Sequence, residues 1–237
     1  MGGATLLLGL DTTTERLHLA LVDRERAWTR WLPAAPGRSH SSTLLPAVTD
    51  LLAEAGAGPE ALAGVVVCVG PGGFTALRVG VATAEGLALT GLPTWGFSAF
   101  QLRARALRLA GCAGTVWIVL DGQRQEAFLQ PWGDAGPLGP ARKQALDGLA
   151  GVVGGDAWWC PEAFRERAAA RLERPSFPLP DEARATLDGL AALCRERSQE
   201  PPEAPLAPFY LRETDAEVHF PEASRHLSEA LRRGTAR

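Results

Sequence analysis

Residues 65–89 constrain this chain more than any other segment. Val65-Val66-Val67-Cys68-Val69 reads as a strand, Gly70-Pro71-Gly72-Gly73 as a tight turn, and residues 75–89 as a helix. In that helix Ala76, Gly80, Ala84 and Ala88 recur every four residues, a small-residue stripe that lets a neighbouring sheet or helix approach closely. Val79, Ala82, Thr83 and Gly86 line another side, also small or apolar, and only Arg78 and Glu85 mark a polar edge. A helix that is apolar nearly all round must be covered nearly all round. One face rests on the chain's own sheet; the other needs a second helix, from this chain or from a partner. Left exposed, such a face is an association site.

The preceding residues supply strands for that sheet. Residues 5–10 read as a buried strand ending at Asp11, Thr12-Thr13-Thr14 as a polar turn, and the alternating Leu17, Leu19 and Leu21 as a second strand, with a third over 28–32. After a loop at 33–39 rich in Pro, Gly and Ala, residues 43–55 read as an amphipathic helix. Leu44, Leu45, Val48, Leu51, Leu52 and Ala55 fall on one stripe, opposite Asp50 and Glu54. A Ser/Thr run supplies the N-cap, Gly56 ends the helix, and Pro46 fits only within the first turn.

The opening pattern returns half a chain later. Residues 115–132, TVWIVLDGQRQEAFLQPW, resemble residues 6–22, LLLGLDTTTERLHLALV, with Asp121 in the place of Asp11. Residues 151–159, GVVGGDAWW, faintly echo residues 64–73, GVVVCVGPGG. Two readings stand: duplicated lobes, or two unrelated strand–turn–strand units, since Asp ends many strands. Duplication predicts an N-terminal lobe over 1–110 and a C-terminal lobe over 111–237, joined near 111–114. Residues 133–140 read as a surface loop, Asp181 as the cap of a helix over 182–198, and 201–208, PPEAPLAP, as a stiff extended connector. A final short amphipathic helix carries Ala223, Leu227, Ala230 and Leu231.

Composition narrows the function classes. At 237 residues, 46% hydrophobic and 22% charged, the chain suits one compact unit or two packed lobes, far from the disordered class. The net charge of −3, with small arginine clusters at 103–108 and 232–237, disfavours strong RNA binding by this chain alone. Lys143 is the only lysine, so few amines remain as nucleophiles or phosphate ligands. Cys68, Cys112, Cys160 and Cys194 form no CxxC pair, which fits a reducing compartment better than a disulfide framework. Residues 6–10 are too short for a signal-peptide core, no apolar run reaches membrane-spanning length, and the start lacks a myristoylation pattern. A soluble, cytoplasmic protein is expected.

Two segments carry candidate chemistry, each with a structural alternative. Asp11-Thr12-Thr13-Thr14 offers a strand-end carboxylate, N–H groups and hydroxyls to a phosphate or metal–phosphate, or is an Asx turn joining two strands. The turn at 70–73 places helix N–H groups where an anion can sit, or merely uses glycine to turn tightly. It is neither a Walker A loop nor a spaced-glycine dinucleotide fingerprint. Asp11, Thr12, Gly72 and Gly73 are therefore the candidate cofactor contacts. His18, His40, His219 and His226 form no HxxxH or HExxH pair, so no metal site is expected, and no catalytic Ser–His–Asp or Cys–His set can be assembled. Trp158-Trp159 reads as core packing rather than a stacking platform.

Taken in order, these pieces resemble the TsaB family, also called YeaZ. The matching segments are LLLGLDTTTERLHLALV at 6–22, SHSSTLLPAVTDLLAEAG at 39–56 and VVVCVGPGGFTALRVGVATAEGLALTGLPTWGFSAF at 65–100, with looser matches at VLDGQRQEAFLQPW and PLAPFYLRE. GPGGFTALRVG at 70–80 is the most specific. The resemblance implies the α/β, two-lobed actin-like ATPase (ribonuclease H-like) fold, with duplicated mixed sheets flanked by helices. It implies a non-catalytic subunit in making N6-threonylcarbamoyladenosine beside the tRNA anticodon. Its partners would be a TsaD-type catalytic subunit and a TsaE-type ATPase, with tRNA reached mainly through the complex and a homodimer in isolation. No cofactor would be bound by this chain alone, and ATP or ADP would sit at the complex interface. The family pairs through its two N-terminal helices, which places the interface around Leu44, Leu45, Val48, Leu52, Val79, Thr83 and Gly86. Gly73, where the family pattern has Ser, and Ala76, where Gly is commoner, weaken the phosphate reading of the turn. The rival is a small phosphotransferase of the same fold, with Asp11 or Asp121 as base or magnesium ligand.

Overall fold

The structure, a computed structural model, describes residues 5–33 and 39–211. The first sheet is built from β1 (Leu6–Asp11), β2 (Leu17–Val22), β3 (Ala27–Leu32), β4 (Leu62–Cys68) and β5 (Thr94–Phe97), with α1 (His40–Glu54), α2 (Phe74–Ala88) and α3 (Ala99–Leu109). The second half adds β6 (Val116–Asp121), β7 (Glu126–Gly133), β8 (Gly136–Pro137), β9 (Arg142–Ala145), α4 (Leu149–Val153), β10 (Ala157–Trp159), α5 (Glu162–Leu172) and α6 (Glu182–Arg197).

Each half orders its strands in the same way. The first sheet runs β3-β2-β1-β4-β5, and the second runs β10-β6-β7-β8 with β9 also on β7. In both, an antiparallel hairpin (β1–β2, β6–β7) is joined by a parallel strand (β4 on β1, β10 on β6). The repeat expected from the two Asp-ending strands is thus present in the topology, and β5 alone has no counterpart. The segment expected as a surface loop, 133–140, contributes β8. The faint echo between 64–73 and 151–159 does not correspond to this repeat. Gly154 and Gly155 lead into β10, whereas the turn equivalent to 70–73 follows β10 and consists of Cys160 and Pro161 before α5.

Side-chain alternation sorts the strands into layers. Leu6, Leu8 and Leu10 of β1 and Leu17, Leu19 and Leu21 of β2 face α1 and α2, in a core with Leu44, Val48, Leu51, Leu77, Val81 and Ala84. The opposite face of that sheet, with Ala20, Val22, Val66 and Cys68, meets Phe100, Leu107, Leu190 and Cys194 of α3 and α6, and this core continues into Val116, Ile118, Leu120 and Trp159 of the second sheet. Trp117, Val119 and Trp158 face α4 and α5. The order is therefore α1/α2, sheet, α3/α6, sheet, α4/α5. Both tryptophans of Trp158-Trp159 are buried, on opposite faces of β10. Close approach of α6 explains Gly9: a Cβ there would lie 2.5 Å from Cys194 Sγ.

One boundary departs from the sequence reading. Helix α1 starts at His40 because the Ser42 hydroxyl accepts from the Ser39 N–H (3.2 Å) and donates to the Ser39 carbonyl (2.9 Å). Pro46 consequently sits in the second turn. The bond it cannot donate would go to Ser42, and both residues are exposed, so water can satisfy that carbonyl. Helix α6 follows expectation, with the Asp181 carboxylate accepting from the Arg184 N–H at 2.8 Å. The amphipathic segment with Ala223, Leu227, Ala230 and Leu231 lies outside the described residues. Among those described, no helix is long and apolar enough to cross a membrane.

Candidate functional site

A cleft of about 570 Å³ opens where the two hairpin turns face each other. Its walls are the β1–β2 turn (13–18), the start of α1, the glycine turn (71–73), Arg103, Asp121 and the start of α5. The candidate residues Asp11 and Thr12 lie beneath it, completely buried.

Asp11 is held on both oxygens. Its Oδ1 accepts from the Thr13 N–H (3.0 Å) and the Thr13 hydroxyl (2.6 Å), the geometry of an Asx turn. Its Oδ2 accepts from Nη2 of Arg103 (3.1 Å), with His18 Nδ1 at 3.6 Å. Arg103 comes from α3, is itself 2% exposed, and also reaches the Thr186 hydroxyl of α6 at 3.5 Å. Burial by itself would raise the Asp11 pKa, but the Arg103 charge, His18 and Thr13 together hold it well below the usual carboxylate range. Asp121 repeats the arrangement in the second half: Oδ1 accepts from the Gln123 N–H (2.8 Å) and Oδ2 from Arg167 Nη1 (3.1 Å). Each strand-end carboxylate thus carries an arginine counter-ion from its own chain.

The glycine turn is closed rather than open. The Gly73 N–H donates to the Thr13 carbonyl (3.1 Å), and a Cβ on Gly72 would lie 2.5 Å from that carbonyl oxygen. Gly70 has φ +112°, which L side chains rarely adopt. Gly80 sits where α2 crosses Thr12, with a Cβ position 2.5 Å from Thr12 Oγ1. The turn therefore packs on the β1–β2 turn, with no N–H of Gly73 left for an anion. A magnesium–nucleotide needs an uncompensated carboxylate and free amides. Asp11, Thr12, Gly72 and Gly73 do not fit that group.

None of the four cysteines lines the cleft. All four cysteines are buried. Burial pushes Cys160 and Cys194 up to about 12, and burial with the nearby Asp11 charge raises Cys68 far above a free thiol. Among the described residues, no group of three or more His, Cys, Asp or Glu is placed to hold a metal ion.

The helices expected to pair divide into two sets of residues. Leu44, Val48 and Leu52 are buried against the chain's own sheet, so they belong to its core and not to an interface. The amphipathic stripe of α1 is simply the stripe that the first sheet covers. Leu45 points outward and is 55% exposed, and on α2 Val79 and Thr83 are half-buried while Gly86 is exposed with nothing within 4 Å of a Cβ. Leu89, just past α2, is 90% exposed. Arg103 is the cleft-lining residue that motif reading misses. Its signal is the apolar spacing Ala99, Phe100, Arg103, Ala106, Leu107, in which a lone arginine demands a buried counter-ion.

Comparisons with known proteins agree with this architecture. The family model for tRNA N6-adenosine threonylcarbamoyltransferase, TsaD, matches residues 31–154. A Mycobacterium tuberculosis protein is 32% identical over 224 residues, covering 89% of this chain and 93% of its own length. The tRNA threonylcarbamoyladenosine biosynthesis protein TsaB of Haemophilus influenzae is 33% identical over 124 residues, 52% of this chain and 51% of that protein, so the match spans about half of that relative's length. The solved structure of YeaZ from Pseudomonas aeruginosa superposes with a TM-score of 0.68 at 25% identity, covering 87% of this chain and all of that one. The two sheets with their flanking helices form the actin-like, two-lobed fold.

Proposed function

The chain belongs to the TsaB (YeaZ) family, and from that premise we propose that it serves tRNA threonylcarbamoyladenosine biosynthesis as a non-catalytic subunit. It binds a TsaD-type catalytic subunit and activates transfer of the threonylcarbamoyl group to N6 of the adenosine beside the anticodon. Docking is through the outward face of α1 and α2, in the first lobe. The observation that carries this reading is the outer side of α2, where Val79 and Thr83 are half-buried and Gly86 is exposed with none of the described residues within 4 Å of a Cβ there, while Leu45 of α1 is exposed as well. Small residues there allow a partner helix to come close. ATP or ADP is held at the interface with the partner, a TsaE-type ATPase joins the assembly, and tRNA is reached through the complex, in the cytoplasm.

The phosphotransferase reading is the weaker one. It needs Asp11 or Asp121 as base or magnesium ligand, and each is paired with an arginine in place. The deciding experiment is co-purification with a TsaD-type subunit, followed by a tRNA modification assay. Gly86→Trp adds a large side chain where the chain itself leaves open space. It should leave the melting temperature within about 2 °C of wild type and weaken the complex by at least ~100-fold. An unchanged affinity would rule out this face, and tight ATP turnover by the isolated chain would favour the phosphotransferase.

A further inference from the structure

Beside Val79 and Thr83, helix α2 carries a stripe that is exposed from end to end. Phe74, Arg78, Ala82, Glu85 and the C-cap Leu89 stand at i, i+4, i+8, i+11 and i+15, and all five are exposed. They fall within about 80° of one another around the helix axis. Charge is ordered along the stripe. Arg78 lies near one end and Glu85 about 10 Å further along the axis, with a large apolar side chain, Phe74 or Leu89, beyond each.

Arg78 is held in place. Its guanidinium carbon lies over the Phe74 ring, 3.8 Å from the centroid, and its Nε donates to the Tyr210 hydroxyl at 3.2 Å. The Tyr210 ring is 5.4 Å from that of Phe74. Tyr210 belongs to the segment after α6, which is anchored to the first sheet: Leu206 is buried in the core beneath α2, and the Phe209 N–H donates to the Val69 carbonyl (2.6 Å). Among the described residues, neither Nη of Arg78 has a partner and no carboxylate pairs with it, and Glu85 has no ion pair. A flat guanidinium with both Nη groups free matches a carboxylate bidentately. Because its position is already fixed, little further freedom is lost on binding.

We propose that this stripe sets the orientation of the partner, with Arg78 as the specificity-determining contact. The TsaD-type subunit presents a carboxylate to Arg78 and a basic side chain to Glu85, about 10 Å apart, and apolar recesses to Phe74 and Leu89. The proposal rests on the reading of the α1–α2 face as the docking surface, and it names what the partner carries. A protein carboxylate fits better than an RNA phosphate. A phosphate-binding surface collects cations, whereas here an acid shares the stripe and the chain's net charge is −3. A partner with the two charges in the opposite order meets like against like, which excludes it.

The test measures the affinity of the full chain for a TsaD-type subunit by titration calorimetry. Arg78 and Glu85 are exposed, so their variants should melt within about 2 °C of wild type. Arg78→Glu and Glu85→Arg should each weaken binding about 100-fold or more, because each sets like charges together. Their combination restores the net charge but reverses its order, so it should stay at least ~100-fold weaker. Arg78→Lys keeps the charge without the fork and should bind about tenfold more weakly. Wild-type affinity in the double variant, in either charge reversal or in Arg78→Lys overturns the proposal. So does an Arg78→Glu chain that loses RNA binding or self-association while its complex stays intact, since the stripe then serves RNA or a second copy. If Gly86→Trp breaks the complex and the charge variants do not, the docking face stands and the charge order falls. If Gly86→Trp is also without effect, or the wild-type chain forms no complex, both fall.

Discussion

Arg103 stands at the meeting point of β1, α3 and α6, and its pairing with Asp11 is the most consequential contact between single residues. Removing one member of a buried ion pair leaves the other charge uncompensated. Arg103→Ala should therefore lower stability by about 3–5 kcal/mol, read from urea midpoints, whereas Arg103→Met combined with Asp11→Leu should cost far less, because no charge remains to be solvated. The pH dependence has a definite sign. Asp11 titrates in the folded chain below its unfolded value of about 3.9. Its contribution is complete above about pH 5 and is lost as the pH falls through 4 toward the folded value. The stability gap between the native chain and Asp11→Asn should accordingly narrow between pH 7 and pH 3. The Asp11-Thr12-Thr13-Thr14 turn was legible in the sequence because strand, acid and hydroxyls are adjacent. Its counter-ion was not, since Arg103 lies 92 positions away and a patterned helix does not announce which carboxylate it meets.

Helix α2 shows how two faces of one element obey different rules. Leu77, Gly80, Val81 and Ala84 are buried toward the sheet, while Ala82, Glu85 and Gly86 are exposed. The two glycines should respond in opposite directions. A side chain at Gly80 meets Thr12, so Gly80→Val should destabilise by about 1–3 kcal/mol through overpacking. At Gly86 nothing lies within reach, so Gly86→Ala should stabilise by roughly 0.5–1 kcal/mol through helix propensity alone. Thermal melts of the two variants check both signs. The four-residue spacing of small residues marked a close-packing stripe beforehand, of which Gly80 and Ala84 are buried, but not whether a sheet or another helix would meet it. It did not reveal which apolar residues of α1 were already covered, because Leu44 and Leu45 are neighbours in sequence and differ only in which way the helix is rolled on its sheet. Pro46 defeated its expected place for a local reason: serine hydroxyls extended the helix ahead of it.

At the scale of the whole molecule, α3 and α6 serve both sheets at once. The core they form runs from Val22 and Val66 through Phe100 and Leu190 to Ile118 and Trp159. Residues 1–110 expressed alone would leave Gly9 and Ala20 without α6, so they should not show a cooperative urea transition, while the full chain should unfold in a single one by circular dichroism. The duplicated order of strands was visible in the two Asp-ending hairpins. The glycine pair at 154–155 misled, because composition alone does not say whether a turn precedes or follows its strand. The shared helix layer also sets a schedule for synthesis. After Leu109 has been added, the ribosome must still reach Arg197 before α6 completes the cover of the first sheet's inner face, an interval of roughly 4–18 s at ordinary elongation rates. For that time a finished row of strands waits on the nascent chain with α3 alone across it, the moment when a chaperone has most to protect.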